Sequence, residues 1–525
     1  MEQFRMVAKT LQGLEDVLAT ELEALGAQDT TKGLRMVEFT GDKEMMYKAN
    51  FCLRTALRIL KPIKTFTAND ADGVYEAVRQ IEWSDILDLK TSFAVDSVVY
   101  SEDFKHSKFV AYKVKDAIVD YFRDKTGQRP NISIANPDIR LNIHISGNDC
   151  TLSLDSSGES LHKRGYKVAT VESPINEVLA AGMILTTGWD CSCDFIDPMC
   201  GSGTIAIEAA LIARNIYPGV FHTTRYAFEN WKDFDPELLE KIYNDDSQER
   251  EFSHKIYASD IDPAAVSATN ANARAAGVSD IIEVEKKPIQ QFTKPSQKAI
   301  MVTNPPYGER LTSPDLAGLY RTIGEKLKHQ FSGNDAWVIS YKKEIFDCIG
   351  LRPSVSIPLY NGSLNCEFRK YQIFDGVLKD FRSEGGIIKS EDDLNRMRNK
   401  KSLRPHRDRD DRGFGHDGGD GGDIPAYLIK RHRNFLASPK GREVTGERRR
   451  FDNGDDNGFG RDKRRRDDRR DDRRRDDRRD DRRRDDRRRD DWRKDDRRRD
   501  DRKSAPQKNR SPWAKKDNFR KGGHE

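Results

Sequence analysis

The apolar positions of the first 155 residues change several times between helical and strand spacing. Residues 1–50 contain one run with helical spacing and one short strand. Residues 51–155 alternate helices with strands, and two runs at 139–145 and 150–154, in which every second residue is apolar, predict a hairpin. We therefore expect a small α/β subdomain over residues 1–50 and an α+β domain over residues 51–155.

The segment from residue 171 to residue 380 has a different pattern, in which short apolar strands are followed by helices or polar loops. The strands are predicted at residues 195–197, 255–260, 299–303 and 336–340. Alternating strands and helices indicate a parallel sheet. We expect a Rossmann-like α/β domain over residues 171–380, joined to the preceding domain by a polar link at residues 156–170.

The composition changes beyond about residue 380. Charged residues make up 34% of the chain, against roughly 25% in an average globular protein. Residues 401–525 hold 44 Lys and Arg against 30 Asp and Glu, and residues 461–502 repeat Arg-Arg-Arg-Asp-Asp with small variations. A period of about five residues fits neither a helix nor a strand. The repeat also contains too few apolar residues to form a core. We predict a disordered Arg/Asp-rich tail over residues 381–525, whose net positive charge favours RNA phosphates.

The seven cysteines are scattered through the chain, and their number is odd. This pattern favours reduced thiols in a cytoplasmic protein. The cysteines lack the spacing that is typical of zinc sites, so no metal is expected. The sequence contains no run of about 18 apolar residues, so no membrane-spanning segment is expected either.

A glycine-rich turn follows the first predicted strand of the Rossmann-like domain. It reads Asp-Pro-Met-Cys-Gly-Ser-Gly-Thr over residues 197–204. Glycines allow close approach of a ligand, and the amides at the start of the next helix favour a carboxylate. The next strand ends at Asp260, which is placed to bind ribose hydroxyls, whereas Asp262 is expected to cap a helix. The predicted nucleoside-cofactor contacts are Asp197, Pro198, Cys200, Gly201, Ser202, Gly203, Thr204, Asp260 and Asn304.

A second motif, Asn-Pro-Pro-Tyr, follows a later strand at residues 304–307. An exocyclic amine is a poor nucleophile because its lone pair is delocalised into the ring. The Asn304 side chain and the Pro305 carbonyl could accept hydrogen bonds from such an amine, while the prolines fix the loop and Tyr307 stacks on the base. A nicotinamide cofactor would fit the glycine turn alone, but it would leave this motif without a role. The two motifs together predict methyl transfer from S-adenosylmethionine to a nitrogen, with Asn304, Pro305, Pro306 and Tyr307 as catalytic residues.

These motifs resemble those of the THUMP-containing class I RNA methyltransferases. The similarity covers about residues 1–378 and is greatest to the N-terminal half of the bacterial 23S rRNA guanine-N2 methyltransferases. It includes shorter motifs such as Leu-His-Lys-Arg-Gly-Tyr at 161–166 and Asn-Gly-Ser-Leu-Asn-Cys at 361–366. Lys-Lys-Pro at 286–288 departs from the family pattern where an acid near the cofactor adenine is expected, so no adenine contact is assigned.

The resemblance implies a seven-stranded class I methyltransferase sheet over residues 171–380 and a THUMP RNA-binding domain over residues 51–155. It further implies S-adenosylmethionine as cofactor and the N2 amine of a guanine in 23S rRNA as acceptor. The residues proposed to contact RNA are Arg129, Asn131, His162, Lys163, Arg164 and Tyr166.

Three alternative functions are left open by the residues themselves. A tRNA guanine or the N6 amine of adenine could be the acceptor, because Asn-Pro-Pro-Tyr also serves adenine-N6 DNA methylases. The same motif occurs in protein-glutamine methyltransferases, which is a second alternative. In a third interpretation, the chain is a non-catalytic RNA-binding factor of ribosome assembly, although the intact motifs argue against an idle site.

Overall fold

A computed structural model describes residues 2–306 and 315–374 of the chain. The predicted contribution of Tyr307 and the predicted disorder of residues 381–525 lie outside these ranges and stay predictions.

The first 155 residues form one continuous sheet of eight strands, covered by helices. The strands are β1 (Phe4–Lys9), β2 (Gln28–Gly33), β3 (Met36–Gly41), β4 (Arg58–Thr67), β5 (Ser92–Tyr100), β6 (Asn131–Ile132), β7 (Ile139–Ser146) and β8 (Asp149–Asp155). The helices are α1 (Glu15–Ala24), α2 (Lys43–Cys52), α3 (Ala71–Arg79) and α4 (Ser107–Thr126). The strand order is β2-β3-β1-β4-β8-β7-β5-β6.

Strands β7 and β8 form the predicted hairpin, and alternate residues of β7, including Leu141 and Ile143, are fully buried. The predicted boundary at residue 50 falls inside helix α2, which begins where Asp42 caps the Met45 amide. Strand β4 pairs with β1 on one side and β8 on the other. Residues 1–155 are therefore joined through one sheet, which we call the N-terminal module.

The second half of the described chain contains the predicted seven-stranded sheet. Its strands are β9 (Asp194–Asp197), β10 (Ile256–Asp260), β11 (Ile282–Lys286), β12 (Ala299–Thr303), β13 (Asp335–Ser340), β14 (Val355–Asn361) and β15 (Leu364–Gln372). Its helices are α5 (Glu177–Thr186), α6 (Thr204–Ala213), α7 (Pro236–Tyr243), α8 (Pro263–Ala275), α9 (Leu316–Gln330) and α10 (Lys343–Phe346). The order is β11-β10-β9-β12-β13-β15-β14, in which β9 to β13 are parallel and β15 is antiparallel to both its neighbours. This topology confirms the predicted class I methyltransferase fold.

The two sheets are interlocked by side chains that cross between them. The segment between α6 and β10 contributes Phe228 and Trp231 to the core of the N-terminal module, where Phe228 stacks on Tyr47 at a centroid distance of 4.2 Å. In the other direction, Leu14 is fully buried in the core of the second sheet, against Gly182. Apolar burial on both sides fixes the N-terminal module against the methyltransferase domain.

The predicted polar link at residues 156–170 is packed rather than free. Leu161, Arg164 and Tyr166 are at most 4% exposed. The Tyr166 hydroxyl donates to Glu208 (2.9 Å), and the Arg164 guanidinium donates to the Leu161 carbonyl (2.8 Å). The polarity of this segment did not indicate exposure, because its polar groups are paired inside the protein.

Candidate active site

Three neighbouring strands of the seven-stranded sheet end side by side. Strand β9 lies between β10 and β12, and all three are parallel. Their last residues are Asp197, Asp260 and Thr303. Because the carboxyl ends of parallel strands meet at one edge of a sheet, the glycine turn, Asp260 and Asn304 lie at the same edge.

The turn between β9 and α6 needs glycine at two positions. Gly201 and Gly203 have φ angles of +55° and +79°, in the left-handed region that other residues rarely adopt. A Cβ at Gly203 would also lie 2.6 Å from the Thr269 side chain. The Gly201 amide donates to Asp260 (2.9 Å), and the Thr269 hydroxyl donates to the Gly201 carbonyl (2.9 Å). These contacts hold the turn in one conformation.

Asp260 connects the glycine turn with the start of helix α8. Its second carboxylate oxygen accepts a hydrogen bond from the Asp262 amide (3.0 Å). Each carboxylate oxygen has a further lone pair, so the group can still accept hydrogen bonds from two adjacent hydroxyls of a ligand. Asp262 accepts from the Ala264 amide (2.9 Å) and caps α8, as predicted. Between the two acids, the apolar Ile261 is 67% exposed.

The Asn-Pro-Pro loop begins directly after the fully buried strand β12. Asn304 is half-buried and Pro305 is buried. Because proline fixes φ, the loop leaves the sheet in a restricted direction. The structure thus places Asn304, Pro305 and Pro306 beside the glycine turn.

The predicted residues meet in one cleft of about 1140 Å³. Its lining includes Asp197, Pro198, Cys200, Gly201, Ser202, Thr204, Asp260, Asn304, Pro305 and Pro306. Gly203 is not part of that lining and packs against Thr269 instead.

The cleft also contains residues that the sequence analysis missed, notably Ile261, Gln290 and Asn361. An apolar residue directly after a strand-ending acid was an available signal for Ile261. Gln290 follows β11 in the stretch where an acid was expected, so the search for a carboxylate overlooked it.

Asp197 is the most unusual group in the cleft. It is 1% exposed, and burial raises its pKa to about 7, with a smaller contribution from the charge of Asp260. Neither of its carboxylate oxygens has a hydrogen-bond partner among the described residues. The nearby Thr303 hydroxyl and Met199 amide offset part of the rise in pKa, although neither forms a hydrogen bond of normal geometry with the carboxylate. A buried carboxylate in this state is suited to a cationic ligand group.

The residues predicted to contact RNA separate into two groups. The exposed or half-exposed ones are Arg129, Asn131, His162 and Lys163. By contrast, Arg164 and Tyr166 are 2% and 1% exposed and form hydrogen bonds within the protein. Their burial leaves no surface for RNA, so the predicted RNA contact is wrong for Arg164 and Tyr166.

Arg129 borders a second cleft, of about 460 Å³, on the surface of helix α4. Its cationic residues are Lys113, Lys115, Arg123 and Arg129, and Asp116 and Asp120 lie among them. On the same helix, Phe109 and Tyr112 are 52% and 57% exposed. Cations bind phosphates and exposed aromatic rings stack on bases. Of the cationic residues that line this cleft, the sequence pattern had indicated Arg129 alone.

Within residues 2–306 and 315–374, no helix is long and apolar enough to cross a membrane. The same residues contain no group of His, Cys, Asp and Glu side chains that could hold a metal ion. All seven cysteines fall in these ranges and are free thiols.

The fold and the cleft define a class I methyltransferase domain attached to an N-terminal α+β module. Residues 164–370 match the RMKL-like methyltransferase domain, residues 68–155 match the THUMP domain, and residues 5–60 match the RlmL ferredoxin-like domain. The chain belongs to the THUMP-containing, RlmL-like RNA methyltransferases.

Individual relatives agree with this assignment. The chain is 38% identical over 382 residues to ribosomal RNA large subunit methyltransferase K/L of Syntrophotalea carbinolica. The match covers 70% of this chain and 53% of that relative, so the chain spans about half the length of the relative.

Solved structures show the same architecture. SMU.472, described as a putative methyltransferase complexed with SAH, is 28% identical, with a TM-score of 0.64 over 72% of this chain and 100% of its own. A predicted N6-adenine-specific DNA methylase from Listeria monocytogenes is 29% identical, with a TM-score of 0.63 over 71% of this chain and 97% of its own.

Proposed function

We propose that this chain transfers a methyl group from S-adenosylmethionine to a base of large-subunit ribosomal RNA. The observation that carries the proposal is the meeting of the glycine turn, Asp260 and Asn304–Pro306 in one cleft. The relative from Syntrophotalea carbinolica, which is named for large-subunit rRNA, supports the choice of substrate. The THUMP match supports RNA as the partner.

The cofactor is S-adenosylmethionine, and the cleft residues fit its parts. The amides of the glycine turn and of the start of α6 suit its carboxylate, and Asp260 suits its ribose hydroxyls. Asp197, buried and without a partner, suits its ammonium group. Ile261 offers an apolar surface to the adenine, and Gln290 offers an amide to its edge. The presence of SAH in a similar structure supports this assignment.

The remaining predicted cofactor residues have supporting roles. Pro198, Cys200, Ser202 and Thr204 line the cleft and would complete the contact surface. Gly203 stays behind that surface, where it allows the turn to approach α8.

Catalysis on this surface is chiefly positioning. S-adenosylmethionine, when bound, supplies a methyl group on a positively charged sulfur. The Asn304 side-chain oxygen and the Pro305 carbonyl accept hydrogen bonds from the exocyclic amine and hold its lone pair toward that methyl group. Pro306 stiffens the loop, and Tyr307 stacks on the base. No strong base is needed, because the amine releases its proton after methylation, so orientation and local electrostatics supply the rate increase.

The RNA is held by the N-terminal module and the packed link. Arg129 and Asn131 lie beside the cationic cleft of helix α4, and His162 and Lys163 extend a second polar surface from the link. Because the two sheets are interlocked, RNA bound to the N-terminal module is held at a fixed distance from the catalytic cleft. Cationic contacts of this kind give affinity that falls with salt.

The acceptor is the N2 amine of a guanine in 23S rRNA, and the reaction takes place in the cytoplasm. The resemblance to the guanine-N2 enzymes supports this choice. The N6 amine of adenine is the competing acceptor, since a similar solved structure is described as an adenine-specific methylase. A tRNA guanine and a non-catalytic role in ribosome assembly are the other outcomes to be separated.

Mass spectrometry of nucleosides tests the proposal. Ribosomal and transfer RNA would be compared between a strain that has the gene and a strain that lacks it. We expect N2-methylguanosine to be lost from large-subunit rRNA and to be restored by the wild-type gene but not by the Asn304→Ala gene. A change in N6-methyladenosine or in tRNA alone would identify a different acceptor. Unchanged nucleosides together with defective ribosome assembly would indicate the non-catalytic role.

A further inference from the structure

The turn between β14 and β15 contributes a polar side chain to the catalytic cleft. Strand β15 runs antiparallel to β13, and Glu367 of β15 pairs with Ser340 at the carboxyl end of β13. The amino end of β15 therefore reaches the edge of the sheet at which the parallel strands end. Asn361 and Gly362 of this turn line the same cleft as Asn304.

Asn361 is held in place by the backbone while its side chain is left available. The residue closes β14 and pairs with Leu364 across the two-residue turn. Gly362 has a φ of +63°, which suits a tight hairpin turn. The Asn361 side-chain amide forms no hydrogen bond with the described residues. A half-buried amide in this state can pair with a ligand at little cost in lost protein contacts.

We infer that Asn361 reads the Watson–Crick edge of the target guanine while Asn304 holds its N2 amine. An amide carries a donor and an acceptor side by side. Guanine presents the complementary pattern next to its N2 amine, with O6 as acceptor and N1–H as donor. Enzymes that modify a base take it out of the stack and recognise this edge. The inference rests on the proposed function, since it concerns the acceptor of that reaction.

Asn361→Ala and Asn365→Ala are the matched variants that test this role. Asn365 lies in the same hairpin and is exposed outside the cleft. Single-turnover methylation would be measured on a synthetic RNA that contains the guanosine located by nucleoside mapping. We expect Asn361→Ala to slow methylation about tenfold or more, as loss of a base-edge hydrogen bond does. Asn365→Ala should remain near the wild-type rate, and both variants should bind SAH as the wild type does.

A substituted base separates recognition from a structural effect. 2-Aminopurine keeps the N2 amine but lacks O6 and the N1 proton, so it cannot pair with the amide in the same way. The wild type should prefer guanosine over 2-aminopurine, and this preference should fall about tenfold in Asn361→Ala. An unchanged preference, a near-normal rate, or a loss of SAH affinity in Asn361→Ala would overturn the inference. Failure to find any methylated guanine in rRNA would instead overturn the proposed function.

Discussion

Two buried acidic side chains, one at the end of strand β9 and one in helix α6, have different surroundings. Asp197 precedes the helix and Glu208 lies in its middle, and they are 1% and 0% exposed. Burial raises the pKa of both carboxyls. Glu208 accepts a hydrogen bond from the Tyr166 hydroxyl (2.9 Å) and lies 3.5 Å from the Arg164 guanidinium. Asp197 has no hydrogen-bond partner among the described residues.

The difference indicates different roles for two residues of the same chemistry. Around Glu208, the Arg164 guanidinium also donates to the Arg54 carbonyl, and the Arg54 guanidinium donates to the Ile216 carbonyl (2.8 Å). These contacts join the N-terminal module, the link and the helix that follows the glycine turn. Glu208 therefore stabilises the arrangement of modules, whereas Asp197, which has no partner among the described residues, is the acid that we propose for a ligand. Burial alone does not distinguish these roles, but partners do.

The largest effect is expected at the structural acid. Glu208→Ala leaves the Arg164 guanidinium buried without its counter-ion, which costs about 3–5 kcal/mol. Urea unfolding followed by circular dichroism would measure the loss. Glu240→Ala, an exposed glutamate of helix α7, is the matched control and should change the free energy of unfolding by less than about 0.5 kcal/mol. A loss below about 1 kcal/mol for Glu208→Ala would contradict the structural role.

The acceptor side of the cleft should respond in catalysis rather than in stability. Asn304→Ala removes the acceptor that we propose to orient the reacting amine, and loss of one such oriented group costs about 100-fold or more in turnover. Single-turnover kinetics on rRNA and calorimetry with SAH would separate the steps. We expect the rate to fall while SAH affinity changes by less than about threefold, the pattern of an interaction made chiefly in the transition state. A comparable loss of SAH affinity would place Asn304 with the cofactor instead.

The sequence predicted the cleft around Asp197 better than the buried contacts around Glu208. The seven-stranded sheet follows from alternating strands and helices, and that topology alone brings Asp260 and Asn304 to one edge. The capping role of Asp262 could also be predicted from the local sequence, because an acid directly before Pro263 is typical of a helix start.

The surroundings of Glu208 depend on contacts that the local sequence does not show. Arg164 and Tyr166 have the composition of an RNA-binding loop, yet their partner, Glu208, lies about forty residues further along the chain. An acid in the apolar helix Thr204–Ala213 was a signal that some buried cation had to be near. Ile261 was missed for the opposite reason, since apolar residues are usually assigned to the core.

Asp197, the acid that lines the cleft, should make the stability of the wild type depend on pH, and Asp197→Asn should remove that dependence. The pKa of Asp197 is raised from 3.8 to about 7, so the native state holds this proton more tightly than the unfolded chain does. Its contribution to stability is therefore present at low pH and is lost as the pH rises from about 4 to about 7. Without cofactor, the wild type should lose about 2–3 kcal/mol more than Asp197→Asn between pH 5 and pH 8. Parallel pH profiles of the two proteins would show that Asp197 is not the titrating group.

The smallest effect on stability is expected when either of two buried tyrosine hydroxyls is removed. Tyr166 donates to Glu208, whereas the hydroxyl of Tyr226, which is 5% exposed, has no partner among the described residues. Tyr166→Phe removes a hydrogen bond to a buried carboxylate and should cost about 1.5 kcal/mol. Tyr226→Phe removes an unpaired polar atom and keeps the ring stacked on Phe228 (5.2 Å), so its stability should be equal to that of the wild type or slightly higher. Thermal and urea unfolding of both variants measure the difference. Equal losses would mean that the hydrogen bond from Tyr166 to Glu208 adds no stability beyond that of an unpaired hydroxyl. The contrast between paired and unpaired polar groups would then fail as a guide to function in this chain.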